Sequence, residues 1–117
     1  DVYKRQDIDT VTAVSGSGPA YFFLFIEAMR DAAREMGLSD ETANALVYQT
    51  AVGAAELAIS SEEDVAELRR KVTSPGGTTE KALRTFEEGR LREIVERALK
   101  AARNRSIELA NEFGSNE

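Results

Sequence analysis

Histidine, cysteine and tryptophan are all missing from this 117-residue chain. Without histidine, Ser-His-Asp chemistry and His-based zinc sites are excluded within it. Without cysteine there is no disulfide framework and no thiol catalysis, and a reducing compartment is permitted. Long apolar runs are also absent. The longest, Pro19 to Ile26, falls far short of the ~20 residues that span a bilayer, so a soluble, cytoplasmic protein with no membrane association is expected. Basic charge is in deficit, with 15 basic against 21 acidic residues and a net charge of −6. That balance argues against nucleic-acid and anionic-membrane surfaces. The locally basic stretch from Arg90 to Arg105 has no interleaved aromatic residues, so it reads as the solvated face of a helix. No segment alternates strictly with β-branched residues, so no sheet is supported. Nor does any strand lead into G-x-G-x-x-G; Ser15-Gly16-Ser17-Gly18 is glycine-rich but has the wrong spacing for a dinucleotide fingerprint.

What is present is helical periodicity, broken by one conspicuous loop. Thr73-Ser74-Pro75-Gly76-Gly77-Thr78-Thr79 combines a proline, two glycines and four hydroxyls and leads directly into a helix. Glycine lets backbone N–H groups approach a ligand closely, and the first N–H groups of a helix lack internal partners. Small carboxylates or phosphates suit such a place. On these residues alone the loop reads more readily as a helix-breaking turn with Ser or Thr as N-caps.

The periodicity predicts an all-α fold of about five helices. Residues 7–18 alternate weakly and read as an extended linker. A first helix starts with Pro19 in its opening turn and runs to about Met36, with Gly37 as its C′ residue. Ala20-Tyr21-Phe22-Phe23-Leu24-Phe25-Ile26 is apolar all round and needs burial all round, which implies a partner surface. A second helix follows Ser39 and carries a stripe of small residues around Gly53-Ala54-Ala55, suited to close packing within or between chains. A third is expected to open at Ser61-x-x-Asp64, read as a capping box. A fourth begins near Thr78 and closes at Gly89; the last is the clearest, with Leu91, Ile94, Val95, Ala98, Ala102, Leu109, Ala110 and Phe113 at 3.6 spacing. Asp1-Val2-Tyr3-Lys4-Arg5-Gln6 fits none of this, and residues 1–8 are read as a non-native or linker segment.

The run from Leu68 to Leu83, LRRKVTSPGGTTEKAL, resembles the signature of pyrroline-5-carboxylate reductases. Ser15-Gly16-Ser17-Gly18-Pro19-Ala20-Tyr21 resembles the family's linker into its C-terminal domain. Met36-Gly37-Leu38 and Gln49-Thr50-Ala51-Val52-Gly53-Ala54-Ala55 follow in the expected order. The resemblance implies that residues 9–114 are the family's C-terminal dimerisation and substrate domain, an interlocked helical bundle, without the N-terminal Rossmann domain.

By that resemblance the whole enzyme reduces 1-pyrroline-5-carboxylate to L-proline, the last step of proline biosynthesis, using NADPH or NADH bound mainly by the other domain. It implies substrate-binding roles for Ser74, Gly76, Gly77, Thr78 and Thr79. The Ser74 hydroxyl and the N–H groups of Gly77 and Thr78 would hold the carboxylate. Thr79 would be the catalytic residue, hydrogen-bonding the ring nitrogen or a water beside it as an orienting or proton-relay group. Ser17, Gly18 and Pro19 would lie beside the nicotinamide, in a segment from Ser15 to Pro19 that reads equally as a flexible hinge, and Glu80 is expected to point away from the carboxylate. No metal is implied. A homodimer is implied, with further assembly of dimers left open. The competing readings are a non-catalytic helical oligomerisation module and a related reductase of another small carboxylate.

Overall fold

A computed structural model describes residues 5–115, with side chains from 7 to 114. Six α-helices and one π-helical turn follow each other, with no strand among the described residues. They are α1 Arg5–Val11, the π-turn Thr12–Gly16, α2 Gly18–Glu35, α3 Asp40–Ser60, α4 Val65–Lys71, α5 Thr78–Glu88 and α6 Leu91–Ser115. The chain divides into two compact units, one from residues up to 22 together with those from 86 onward, the other from residues 23–85.

In the first unit α1, the π-turn and α6 pack on one another, and Ser106 donates to the Asp9 carboxylate at 2.7 Å. The stretch expected to be extended is therefore helical, a correction with a local cause. The Thr12 hydroxyl donates back to Ile8 O and that of Ser15 to Val11 O, which satisfies polar side chains on helical carbonyls. The Ser17 N–H reaches Thr12 O at 2.8 Å, an i to i−5 bond that widens the helix into a π-turn. Tyr21 Oη then donates to Ala13 O at 2.8 Å, tying the start of α2 to this turn, where Ala13 is buried. Residues 5–8 belong to α1, and residues 1–4 of the segment set aside above lie outside the described residues.

In the second unit, α2 ends as its glycine predicts. Gly37 (φ 106) donates to Arg34 O at 3.0 Å, and Leu38 N–H donates to Ala33 O at 3.1 Å, the paired bonds of a Schellman cap. Ser39 caps α3 through its hydroxyl, which accepts from Thr42 N–H at 3.2 Å. The start of α4 differs from expectation. Ser61 closes α3 and accepts from Glu63 N–H, while Asp64 is the N-cap, accepting from Ala66 N–H at 2.9 Å. A carboxylate beside the positive helix end outcompetes a hydroxyl three residues earlier. After α5 the left-handed residue is Arg90 (φ 59), one position beyond the expected Gly89.

Little of this chain is covered by itself. Among the described residues the buried hydrophobic side chains are Ala13, Ala43 and Val47, whereas Phe22 (72%), Phe23 (68%) and Leu24 (66%) stand largely exposed. On α3 the small-residue stripe is covered only near its start; Ala54 and Ala55 are exposed. No helix is long and apolar enough to cross a membrane, among the described residues.

Candidate functional site

The loop between α4 and α5 is built by its own residues. Thr73 ties it to α4, its hydroxyl donating to Arg69 O at 2.6 Å and its N–H to Arg70 O at 3.1 Å. Ser74-Pro75-Gly76-Gly77 then forms a type II turn, closed by Gly77 N–H donating to Ser74 O at 3.0 Å. Proline at the second position supplies its fixed φ, and Gly76 at the third takes φ 75, which a side chain would strain. A Cβ at Gly77 would lie 3.2 Å from Ser74 O, so a side chain there would crowd the turn.

This arrangement sorts the polar groups of the loop into used and free. The Gly77 N–H expected to hold a carboxylate donates to Ser74 O within the turn, so Gly77 shapes the loop. Among the described residues, the N–H groups of Thr78 and Thr79 find no acceptor, and neither do the hydroxyls of Ser74, Thr78 and Thr79. Thr78 and Thr79 are the first two residues of α5, so their free amides coincide with the positive end of its dipole. Ser74 and Thr78 are exposed and Thr79 is half-buried. Two amides and three hydroxyls, uncommitted within six residues, make a donor set for a small carboxylate.

Glu80 does not point away. Its Oε1 accepts from Gly76 N–H at 3.0 Å, and Arg84 Nη2 lies 3.7 Å from the same oxygen. A glutamate in the third position of a helix is the residue type that reaches back over the helix start, but here it bonds Gly76 N–H, one residue before the N-cap Gly77, because the Gly77 N–H is already used in the turn.

Ser17, Gly18 and Pro19 belong to the other unit. Ser17 uses its N–H on Thr12 O and its carbonyl on Ala20 N–H, leaving its hydroxyl free among the described residues. Gly18 is buried and Pro19 exposed, and a side chain added at Gly18 would meet open space. The sequence pattern did not anticipate a groove of about 530 Å³ lined by Phe23, Ile26, Glu27, Arg30 and Tyr48. It contains none of the loop residues.

Among the described residues, Lys71 and Glu96 are perturbed, and both are exposed. Lys71, at the end of α4, is held above its ordinary value by its hydrogen bond to Glu63 and then by the charge of that carboxylate. Glu96 on α6 is held below its ordinary value by the Lys100 hydrogen bond and charge. Neither is in the donor set.

The family described as "Pyrroline-5-carboxylate reductase dimerisation" matches residues 5–109. A pyrroline-5-carboxylate reductase of Pseudomonas aeruginosa is 60% identical over 110 residues, covering 94% of this chain and 40% of that protein. One of Bacillus subtilis, pyrroline-5-carboxylate reductase 2, is 42% identical over the same span and coverage. Among solved structures, the pyrroline-5-carboxylate reductase of Coxiella burnetii superimposes with a TM-score of 0.89 at 50% identity, over 92% of this chain and 40% of that one. The Plasmodium falciparum enzyme, solved with NADP bound, gives 0.87 at 40% identity, over 89% and 40%. The chain thus spans about two-fifths of the length of the relatives it matches.

Proposed function

Since the chain belongs to the pyrroline-5-carboxylate reductase dimerisation family, we propose that it is the dimerisation and substrate-binding part of an NAD(P)H-dependent reductase converting 1-pyrroline-5-carboxylate to L-proline. The observation that carries this reading is the family match running through a loop whose free donors suit the substrate's one anionic group. Residues 9–114 form the domain on this reading, with residues 5–8 continuing α1.

The carboxylate lies against the Thr78 and Thr79 N–H groups and the Ser74 hydroxyl, at the positive end of α5. Gly76 and Gly77 shape the turn that clears this space. Thr79 carries its hydroxyl on the first turn of the same helix and orients the ring nitrogen, directly or through a water, for protonation. A threonine hydroxyl is too weak an acid to act by its own ionisation near neutral pH, so its part is orientation and relay. Ser17, with its free hydroxyl, and the exposed Pro19, with Gly18 between them, fit a neutral nicotinamide edge. They offer no amide cluster for a pyrophosphate, which the other domain would bind. NADPH or NADH, when bound, supplies the hydride to the imine carbon. The exposed apolar start of α2 and the uncovered end of the α3 stripe would be buried against a second copy of the chain, giving a homodimer.

The test is a fusion of this chain behind the N-terminal domain of the Pseudomonas aeruginosa relative. It should oxidise NADPH or NADH in the presence of pyrroline-5-carboxylate, while the 117-residue chain alone should not. A folded, dimeric fusion without turnover would refute the reading in favour of a non-catalytic oligomerisation module. Turnover on a different cyclic imine carboxylate, with none on pyrroline-5-carboxylate, would replace the substrate.

A further inference from the structure

The turn at the centre of the site depends on Gly76, the residue least able to hold a shape unaided. Glycine populates positive and negative φ almost equally, so φ 75 at Gly76 needs an external hold. The Ser74–Gly77 bond closes the turn around Gly76 but leaves the peptide between Pro75 and Gly76 free to flip, which would convert one turn type into another. One contact fixes that peptide: the Glu80 carboxylate accepting the Gly76 N–H at 3.0 Å. Glu80 is itself placed by α5, in whose first turn it sits, and is flanked by Arg84 at 3.7 Å. The bond is exposed, so water competes for it and its strength rests on the carboxylate charge.

The position is chemically unusual. A carboxylate beside a loop meant for another carboxylate should repel it, and an apolar residue would avoid that repulsion. The hydrogen bond gives the charge a purpose, because it consumes one amide of the loop while leaving those of Thr78 and Thr79 open. We propose that Glu80 is a positioning residue: by accepting the Gly76 N–H it holds the Ser74–Gly77 turn in the form that leaves the Thr78 and Thr79 amides and the Ser74 hydroxyl free for the substrate carboxylate. This rests on the carboxylate-cradle reading above.

The bond and the charge predict different mutants. Glu80→Gln keeps an acceptor oxygen and loses the charge; Glu80→Ala loses both. In the fusion enzyme, Glu80→Ala should raise KM for pyrroline-5-carboxylate about fivefold or more, the scale of one lost hydrogen bond, with kcat within about twofold. Glu80→Gln should stay within about twofold of the parent in both. KM unchanged in Glu80→Ala, or Glu80→Gln as impaired as Glu80→Ala, would overturn the proposal. A second measurement is independent of turnover. In the 117-residue chain, the Gly76 amide should exchange with solvent about tenfold faster in Glu80→Ala than in the parent, and at near-parental rate in Glu80→Gln, the scale of one lost charge-assisted bond. Equal exchange in all three would overturn it even if the parent enzyme were inactive. An inactive parent with the exchange pattern intact would instead refute the functional reading alone, leaving the loop lock standing.

Discussion

Thr79 and Ser74 carry the sharpest predictions at the scale of single residues. Thr79→Val keeps size and β-branching while removing the hydroxyl, so it separates chemistry from packing. In the fusion enzyme it should lower kcat/KM about 10²-fold, the usual cost of one preorganised polar contact in a transition state. Stability should move by less than about 1 kcal/mol, because the hydroxyl has no partner to lose. Ser74→Ala should raise KM more than it lowers kcat, since it weakens carboxylate binding in ground and transition states alike. If Thr79→Val stayed within about threefold of the parent, roughly 0.7 kcal/mol, the hydroxyl would have no catalytic part. The sequence revealed which residues crowd this loop but not which of their groups remain available. That depends on the turn type, which consumes the Gly77 amide, and on a side chain reaching back from Glu80 to Gly76.

At the scale of elements, periodicity located α2, α3, α5 and α6 because each buries or presents a continuous stripe, and their caps carry strong local chemistry at Gly37 and Ser39. It misread α1 and the π-turn as an extended linker, from a weak alternation that ends in Ser15-Gly16-Ser17-Gly18, whereas the Thr12 and Ser15 hydroxyls are bonded to the helical carbonyls Ile8 O and Val11 O. It also set the start of α4 at Ser61, because a capping box and an aspartate N-cap share the same letters. The two are separable by mutation. Asp64→Ala should cost about 1 kcal/mol in a thermal melt, whereas Ser61→Ala should cost less than half of that. Arg90 offers a gain: at φ 59 a side chain strains against its own backbone by roughly 1 kcal/mol, so Arg90→Gly should raise the melting temperature. On α6, Glu96 is held low by Lys100, so any stability from this pair is present above the ordinary carboxylate pKa and lost as pH falls through the depressed one. Both groups are exposed, so the visible effect is titration rather than stability: in Lys100→Met the Glu96 carboxyl should titrate back near 4.5 by NMR.

At the scale of the whole molecule, the chain presents more apolar surface than one copy can hide. Phe22, Phe23 and Leu24 occupy consecutive positions and so face different directions around α2, yet all three remain exposed. Withdrawing a large apolar side chain from water contributes about 1.5–3 kcal/mol. A micromolar complex needs roughly 8 kcal/mol after the cost of association, so burial of this segment together with Leu46, Val52 and Leu57 of α3 supplies a driving force of the right order. Because folding and association then share the same surface, stability depends on concentration. A tenfold increase in protein adds about 1.4 kcal/mol and should raise the melting temperature by roughly 3–5 °C for a cooperative unit of two such chains. Leu24→Asp discriminates the cause, because a side chain two-thirds exposed in the single chain contributes little to that chain's own packing. The substitution would put a charge into a buried dimer contact, and such a charge is costly without a partner. The variant should scatter light as a single chain, or melt at a temperature that no longer responds to concentration. A parent chain of single-copy mass at micromolar concentration, with a melt independent of dilution, would mean that this surface is covered by something other than a second copy.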